Sequence, residues 1–199
     1  MSSQPNEIRL FLRRWLANPL RVGAIAPSSP ALAKLVARNT VHSKDELVVE
    51  LGAGTGTVTK ALVEAGLPEE RLILIELDQD MLAFLRERFP KATIIDGDAS
   101  KPEEVIPAKA IGRVDTVISG IPALQFSLEK QRDFVKQCFD VMHANGQLLQ
   151  YTYSLKSPLR HEALDLKGQR LGVAFANLPP AHLWGFKPHK QDQVVDAAQ

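Results

Sequence analysis

The sequence predicts an α/β protein built on a mostly parallel sheet, and two observations carry that prediction. Leu47-Val48-Val49-Glu50-Leu51 is a short apolar run holding one acid, and the glycine-rich Gly52-Ala53-Gly54-Thr55-Gly56 follows it directly. A helical pattern opens at Thr57, so the run reads as a buried strand entering a tight turn and then a helix. A second apolar run, Leu72-Ile73-Leu74-Ile75, closes on Glu76. Its distance from the turn matches the roughly 20 residues at which strand–turn–helix–strand folds set a carboxylate against a ribose. Glycines allow close backbone approach to a ligand, and turn amides plus a helix N-terminus favour anionic or polar groups. The first half reads as a nucleoside-binding unit.

The elements follow in order. Ile8, Phe11, Leu12, Trp15 and Leu16 form an apolar stripe on a helix over 6–17, with Arg9, Arg13 and Arg14 off it and Asn18-Pro19 as its stop. Such a helix serves either as a lid docked on the body or as an anchor at an anionic lipid surface, and periodicity leaves both open. Ser29 and Pro30 suit the cap and first turn of a helix over 30–39. Helices are predicted over 57–66 and 79–89, the latter with Met81, Leu82, Leu85 and Phe89 on one face and Asp78 and Asp80 at its start. Thr93-Ile94-Ile95 is a short strand leading to Asp96-Gly97-Asp98-Ala99, with a capped helix near 102–110 beyond it. Val114 to Ser119 reads as the fourth strand, ending at Gly120-Ile121-Pro122, and 128–143 as an amphipathic helix. Asn145-Gly146 turns into a fifth strand over 147–153. Residues 154–168 read as a polar segment with one short helical piece over the site. Segments 173–178 and 182–186 form the antiparallel pair that completes a seven-stranded sheet, and 188–199 is a tail.

Composition bounds the rest. A 199-residue chain with 45% hydrophobic and 24% charged residues fits one soluble domain with a sizeable core. The single cysteine, Cys138, permits no disulfide within the chain and sits where a helix packs, so it reads as a core residue. No apolar run approaches the ~18 residues of a membrane span, and no signal peptide is visible. Net charge is +1, but residues 1–40 carry six Lys and Arg against Glu7 alone, so the remainder is net acidic. The chain starts as a basic appendage on an acidic body. No metal-ligand cluster is visible, and no metal is expected.

The dinucleotide fingerprint requires glycine at position 57, where Thr57 stands. The spacing Glu50-x-Gly52-x-Gly54-x-Gly56 instead resembles the first motif of class I S-adenosylmethionine-dependent methyltransferases. That resemblance implies a Rossmann-like fold with an antiparallel last strand, and S-adenosylmethionine as cofactor. It places Glu50 near the methionine end and Gly52, Ala53, Gly54 and Gly56 at the turn. Glu76 and Leu77 fall at the ribose, Asp98 and Ala99 at the adenine, and Ser119 beside the cofactor.

A narrower resemblance rests on Phe11-Leu12-Arg13-Arg14-Trp15-Leu16, Pro19, Val22-Gly23-Ala24-Ile25-Ala26-Pro27-Ser28-Ser29, and a late Asn177-Leu178-Pro179-Pro180-Ala181 before Trp184. This order is similar to bacterial phospholipid N-methyltransferases, which methylate phosphatidylethanolamine stepwise toward phosphatidylcholine. It implies 1–40 as a membrane-contacting segment on a 41–187 catalytic domain, and a cytoplasmic protein held peripherally at the inner face of the membrane. Arg9, Phe11, Arg13, Arg14, Trp15, Arg21, Ser28 and Ser29 become the candidates for membrane and substrate contact. Methyl transfer to an amine requires the lone pair in line with the S–CH₃ bond, so the candidates at the reacting nitrogen are Tyr151, Ser119 and the carbonyl of Ile121.

The Asn-x-Pro-aromatic signature of adenine methyltransferases is absent from Ser119-Gly120-Ile121-Pro122-Ala123. No nucleic-acid partner is expected on that ground. The alternatives are a ribosomal RNA adenine methyltransferase, a methyltransferase of a small soluble amine, and a non-catalytic adenosylmethionine sensor.

Overall fold

A computed structural model describes residues 28–40 and 45–189. The helix expected over 6–17, with Arg9, Phe11, Arg13, Arg14 and Trp15, lies outside the described residues, as do Arg21 and the tail from 190.

Seven strands form one sheet: β1 (Leu47–Leu51), β2 (Leu72–Glu76), β3 (Thr93–Asp96), β4 (Val114–Ser119), β5 (Met142–Thr152), β6 (Leu166–Ala174) and β7 (Ala181–Pro188). Their order is β3-β2-β1-β4-β5-β7-β6. Pairings among β1 to β5 are parallel, and β7 runs antiparallel to both β5 and β6. Strands β2 and β4 are buried along their whole length, as is β1 beyond Leu47, which is why they read as continuous apolar runs rather than alternating ones.

The helices are α1 (Pro30–Asn39), α2 (Thr57–Glu64), α3 (Gln79–Arg88), the single turn α4 (Pro102–Val105) and α5 (Leu128–Val141). They cover both faces. Leu32, Val36, Val58, Leu62 and Leu85 pack with Val48, Leu74 and Ile118 on one side. Ile106, Phe134, Val135 and Cys138 pack with Val49, Leu51, Ile75 and Val117 on the other. In α5 the buried set Gln131, Phe134, Val135, Cys138 and Val141 follows helical spacing, and Ser127 caps the helix by accepting from Lys130 N. Truncating a buried ring such as Phe134 to alanine costs about 3–5 kcal/mol. Burial pushes the Cys138 thiol well above its ordinary pKa, which suits a core residue and not a nucleophile.

The chain moves outward from β1 to β2 and β3, then returns to place β4 on the other side of β1. The crevice where the strand order reverses therefore opens at the carboxyl ends of β1 and β4.

Four boundaries differ from the sequence reading. Helix α5 stops at Val141, and β5 begins at Met142, not 147. Its first residues form an irregularity, because β4 advances from Val114 to Thr116 while β5 advances from Met142 to Gln147. His143 anchors this bulge: Nδ1 accepts from Asn145 N at 3.0 Å, and Nε2 meets the buried Asp115 carboxylate. Strand β6 covers 166–174 rather than 173–178, with only one 3-10 turn, His161–Leu164, ahead of it. Its Lys167, Gly168, Gln169, Arg170 and Gly172 disguise an edge strand, where one side needs no apolar cover. The helix expected over 102–110 is the turn α4 and a separate 3-10 turn at Ala108–Ala110, parted by Pro107.

Candidate active site

Each motif residue of the first half converges on the switch point. The turn after β1 uses left-handed backbone at Gly52, Gly54 and Gly56, with φ of 75°, 53° and 67°. At Gly56 a Cβ would lie 2.5 Å from the Phe89 ring, so neither backbone nor packing tolerates a side chain there. At Gly54 nothing lies within 4 Å of the Cβ position. That face of the turn is open. Gly56 caps α2 with no side-chain hydrogen bond, which leaves the first amides of α2 without a side-chain cap.

Glu76 is buried at the end of β2 and accepts from Gly54 N at 2.8 Å through one carboxylate oxygen. The other oxygen accepts from Leu77 N at 2.7 Å and Asp78 N at 3.1 Å. A carboxylate has about four lone-pair sites, so three N–H groups leave room for a hydroxyl donor. Asp98 accepts from Ser100 N at 2.9 Å and Ser100 Oγ at 2.7 Å through Oδ1, and Ala99 is buried behind it.

Glu50 is buried one strand over. It accepts a hydrogen bond from Thr59 Oγ1 of α2 at 2.5 Å. Burial raises its pKa to about 8, against the lowering effect of the Thr59 hydroxyl, and Glu76 adds a smaller upward push. No cation lies beside this carboxyl among the described residues, and burial keeps it largely protonated at neutral pH.

Alternation along the strands places Glu50, Glu76 and Tyr151 on one face of the sheet and Ser119 and Gln150 on the other. Tyr151, at the end of β5, lies over Gly120, where a Cβ would overlap its hydroxyl. Ser28 Oγ donates to that hydroxyl at 3.4 Å. Burial pushes the Tyr151 phenol far above its ordinary range, and nearby Glu50 and Glu76 add to the shift. Tyr153 is raised to about 12 by burial. Beside these rings a cleft of about 230 Å³ is lined by residues 120–125, 150–154, Pro158 and Pro179, with no charged side chain among them.

The structure corrects three assignments. Ile121 cannot receive a substrate proton through its carbonyl: Gln150 Nε2 at 2.7 Å and Ala123 N at 2.8 Å already occupy both lone pairs. The neighbouring Gly120 carbonyl, which no described residue is seen to donate to, faces no such competition. The Ser119 hydroxyl is fully buried, on the sheet face away from Glu50 and Tyr151, and has no partner among the described residues, so its side chain points away from the site. Ser29 caps α1 by accepting from Leu32 N and bonds to Asn177, which makes it an anchor of the chain rather than a headgroup ligand. His161 packs against Trp184 and Phe186, which stack on each other, with ring centroids 6.1 and 5.9 Å away.

Sequence reasoning missed Thr59, which holds Glu50, and Gln150, which holds the turn after β4. A polar residue inside the apolar run Leu148-Leu149-Gln150 was the available signal for the second.

A family described as "Methyltransferase domain" matches residues 48–146. An ornithine lipid N-methyltransferase from Singulisphaera acidiphila is 34% identical over 146 residues, covering 72% of this chain and 76% of its own. The chain belongs to the class I S-adenosylmethionine-dependent methyltransferases. A ribosomal RNA small subunit methyltransferase A from Leptothrix cholodnii is 40% identical, but over 39% of this chain and only 27% of its own. Among solved structures, the 1,6-didemethyltoxoflavin-N1-methyltransferase of Burkholderia thailandensis, with S-adenosylhomocysteine bound, superposes with a TM-score of 0.63 at 14% identity, covering 95% and 92% of the two chains. That likeness shows the fold.

The residues of this methyltransferase fit its cofactor. The turn is open at Gly54, the α2 amides have no side-chain cap, and the Glu50 carboxyl lacks a described cation. An α-ammonium at Glu50, ribose hydroxyls at Glu76 and adenine beside Asp98 would each meet a suitable group. No helix among the described residues is long and apolar enough to cross a membrane.

Proposed function

We propose that this methyltransferase N-methylates an amine carried on a membrane lipid headgroup, with phosphatidylethanolamine as the substrate and phosphatidylcholine as the end of the series. The observation that carries the reading is the cleft between the β4 turn and the end of β5, which is small, uncharged and bordered by two phenols and by the Gly120 carbonyl, to which no residue donates among those described. At about 230 Å³ it is below the ~300–1,000 Å³ usual for drug-sized ligands and suits a headgroup amine. The motif order from Phe11 to Ser29 and the similarity to an ornithine lipid N-methyltransferase support a lipid amine. That similarity also favours a second reading, in which the amine is that of an ornithine lipid.

When bound, adenosylmethionine supplies a methyl group already activated on a sulfonium sulfur. The protein must hold a neutral amine in line with that bond and keep water out. Tyr151 does not serve as a phenolate base, because burial keeps its hydroxyl protonated at neutral pH. It positions the amine through its oxygen, together with the Gly120 carbonyl, and the ammonium proton leaves to solvent along the cleft.

The test is transfer of labelled methyl to vesicles containing phosphatidylethanolamine or an ornithine lipid, with ribosomal RNA assayed in parallel. Label in phosphatidylethanolamine, rising with anionic lipid, is the expected result. Label confined to ornithine lipid selects the second reading, and label in RNA alone rejects both. Deleting residues 1–17 should reduce vesicle pelleting, most at low salt. Pelleting equal to that of the full chain would remove the anchor role of that segment.

A further inference from the structure

Three loops leave the carboxyl edge of the sheet around the cleft: the turn after β4, the segment after β5, and the link from β6 to β7. Each turns large apolar side chains outward. Leu124 is 39% exposed, Leu155 79%, Phe175 80% and Leu178 94%. Leu155 follows Ser154 and Leu178 precedes Pro179, both cleft-lining residues, and Leu124 lines the cleft itself. Elsewhere among the described residues the comparable side chains are Phe84, which lies under the Arg88 guanidinium 5.5 Å from the ring centroid, and Ile111, which stands before β4 at the opposite edge. Among the described residues, apolar exposure is concentrated at one place.

Charge is distributed to match. Residues 120–126, 151–160 and 175–180 contain no Asp or Glu, while Lys156 and Arg160 are exposed among them. Ser28 and Ser29 bond to Tyr151 and Asn177, so the basic segment that precedes them in sequence joins the body at this same edge. Apolar tips beside cations, without acids, match the chemistry of an anionic bilayer surface.

We infer that the rim formed by Leu155, Phe175 and Leu178 is a lipid-contacting surface of its own, which enters the acyl boundary and opens the cleft directly onto the bilayer. The choice of occupant rests on the lipid-amine reading. The surface is separate from residues 1–17: it belongs to the folded body and faces the membrane with the catalytic edge, so a headgroup amine reaches the cleft without leaving the bilayer.

The experiment compares the full chain with a Phe175→Ser/Leu178→Ser double variant and a Leu155→Ser variant, using vesicles of phosphatidylglycerol and phosphatidylethanolamine. These side chains are exposed, so folding and solution binding of adenosylmethionine should be unchanged, and both are measured as controls. Pelleting by the double variant should fall about tenfold, with methyl transfer to vesicle lipid falling alongside, and Phe175→Leu should restore it. Pelleting within twofold of the parent overturns the inference, as does a parent chain that fails to pellet. If residues 8–16 or a second copy cover the rim instead, pelleting is unchanged, and in the second case the substitutions dissociate a dimer. A parent that pellets through the rim but transfers no label to lipid would reject the lipid substrate while leaving the rim in place.

Discussion

The two halves of the catalytic edge are built by different means. Around β1 to β3 the groups proposed to meet the cofactor lie close together along one strand–turn–helix–strand unit: Glu50, the three glycines and, one strand on, Glu76 locked by Gly54, Leu77 and Asp78 amides. Around β4 to β7 the site is assembled from distant segments. Gly120 meets Tyr151, Ile121 meets Gln150, Ser28 meets Tyr151 from more than a hundred residues away, and Asn177 holds Ser29. The first half is a preformed turn and carboxylate set that fits the cofactor. The second is a neutral cleft whose shape depends on strand register and loop anchoring, the place where substrate choice can vary.

The comparison breaks most visibly at Glu76. Glu76→Ala leaves three N–H groups without their acceptor and removes the charged acceptor proposed for a ribose hydroxyl, so cofactor affinity should fall by more than about 100-fold. Calorimetric titration with S-adenosylhomocysteine reads this, and vesicle pelleting should be largely unaffected; equal affinity would remove the ribose assignment. Gly56→Ala should come next, since it combines a left-handed backbone with overlap of Phe89 and Leu85. It should cost at least about 1–3 kcal/mol of stability, seen as a lower unfolding midpoint.

A pH series sharpens the cradle side. Ligand-free Glu50 has a pKa raised to about 8, so it takes up a proton on folding between the ordinary carboxylate range and that value. The sign follows: its contribution to stability is present at low pH and is lost as pH rises through about 8. Adenosylmethionine, a cation, prefers the ionised form. Its affinity should therefore climb about tenfold between pH 6.5 and 8, and Glu50→Gln should flatten the slope; an unchanged slope in that variant would assign the titration elsewhere. The smallest effect is expected on the cleft side. Gly120→Ala should displace Tyr151 and lower kcat a few-fold with cofactor affinity intact, while Tyr151→Phe in the same chain should restore part of the loss. A drop in cofactor affinity equal to the drop in kcat would mean that the two halves are not separable.

The contrast also explains what could be read in advance. Motif I was legible because its physics is local: a glycine forced into left-handed backbone and a carboxylate at a strand end announce themselves within ten residues. The wrong assignments all fell in the other half. Ile121 was chosen by its place after β4, but its carbonyl is spent on Gln150, a contact set by the β4–β5 register. Ser119 sits in the right strand, yet alternation sends its side chain to the far face. Strand β6 was half missed because an edge strand with Lys167 and Arg170 carries little apolar pattern.

By itself, the sequence determined the α/β alternation and the mostly parallel sheet, because these follow from periodicity and from residues adjacent along the chain, while the reversed last strand and the cofactor followed from the resemblance carried by Glu50 to Gly56. Only the tertiary structure decided that the Ile121 carbonyl is occupied, that Tyr151 covers Gly120 and stays protonated, and that Leu155, Phe175 and Leu178 gather at one edge. Those outcomes depend on register and on loop ends brought together across the sheet, and no local pattern encodes a contact between residues so far apart.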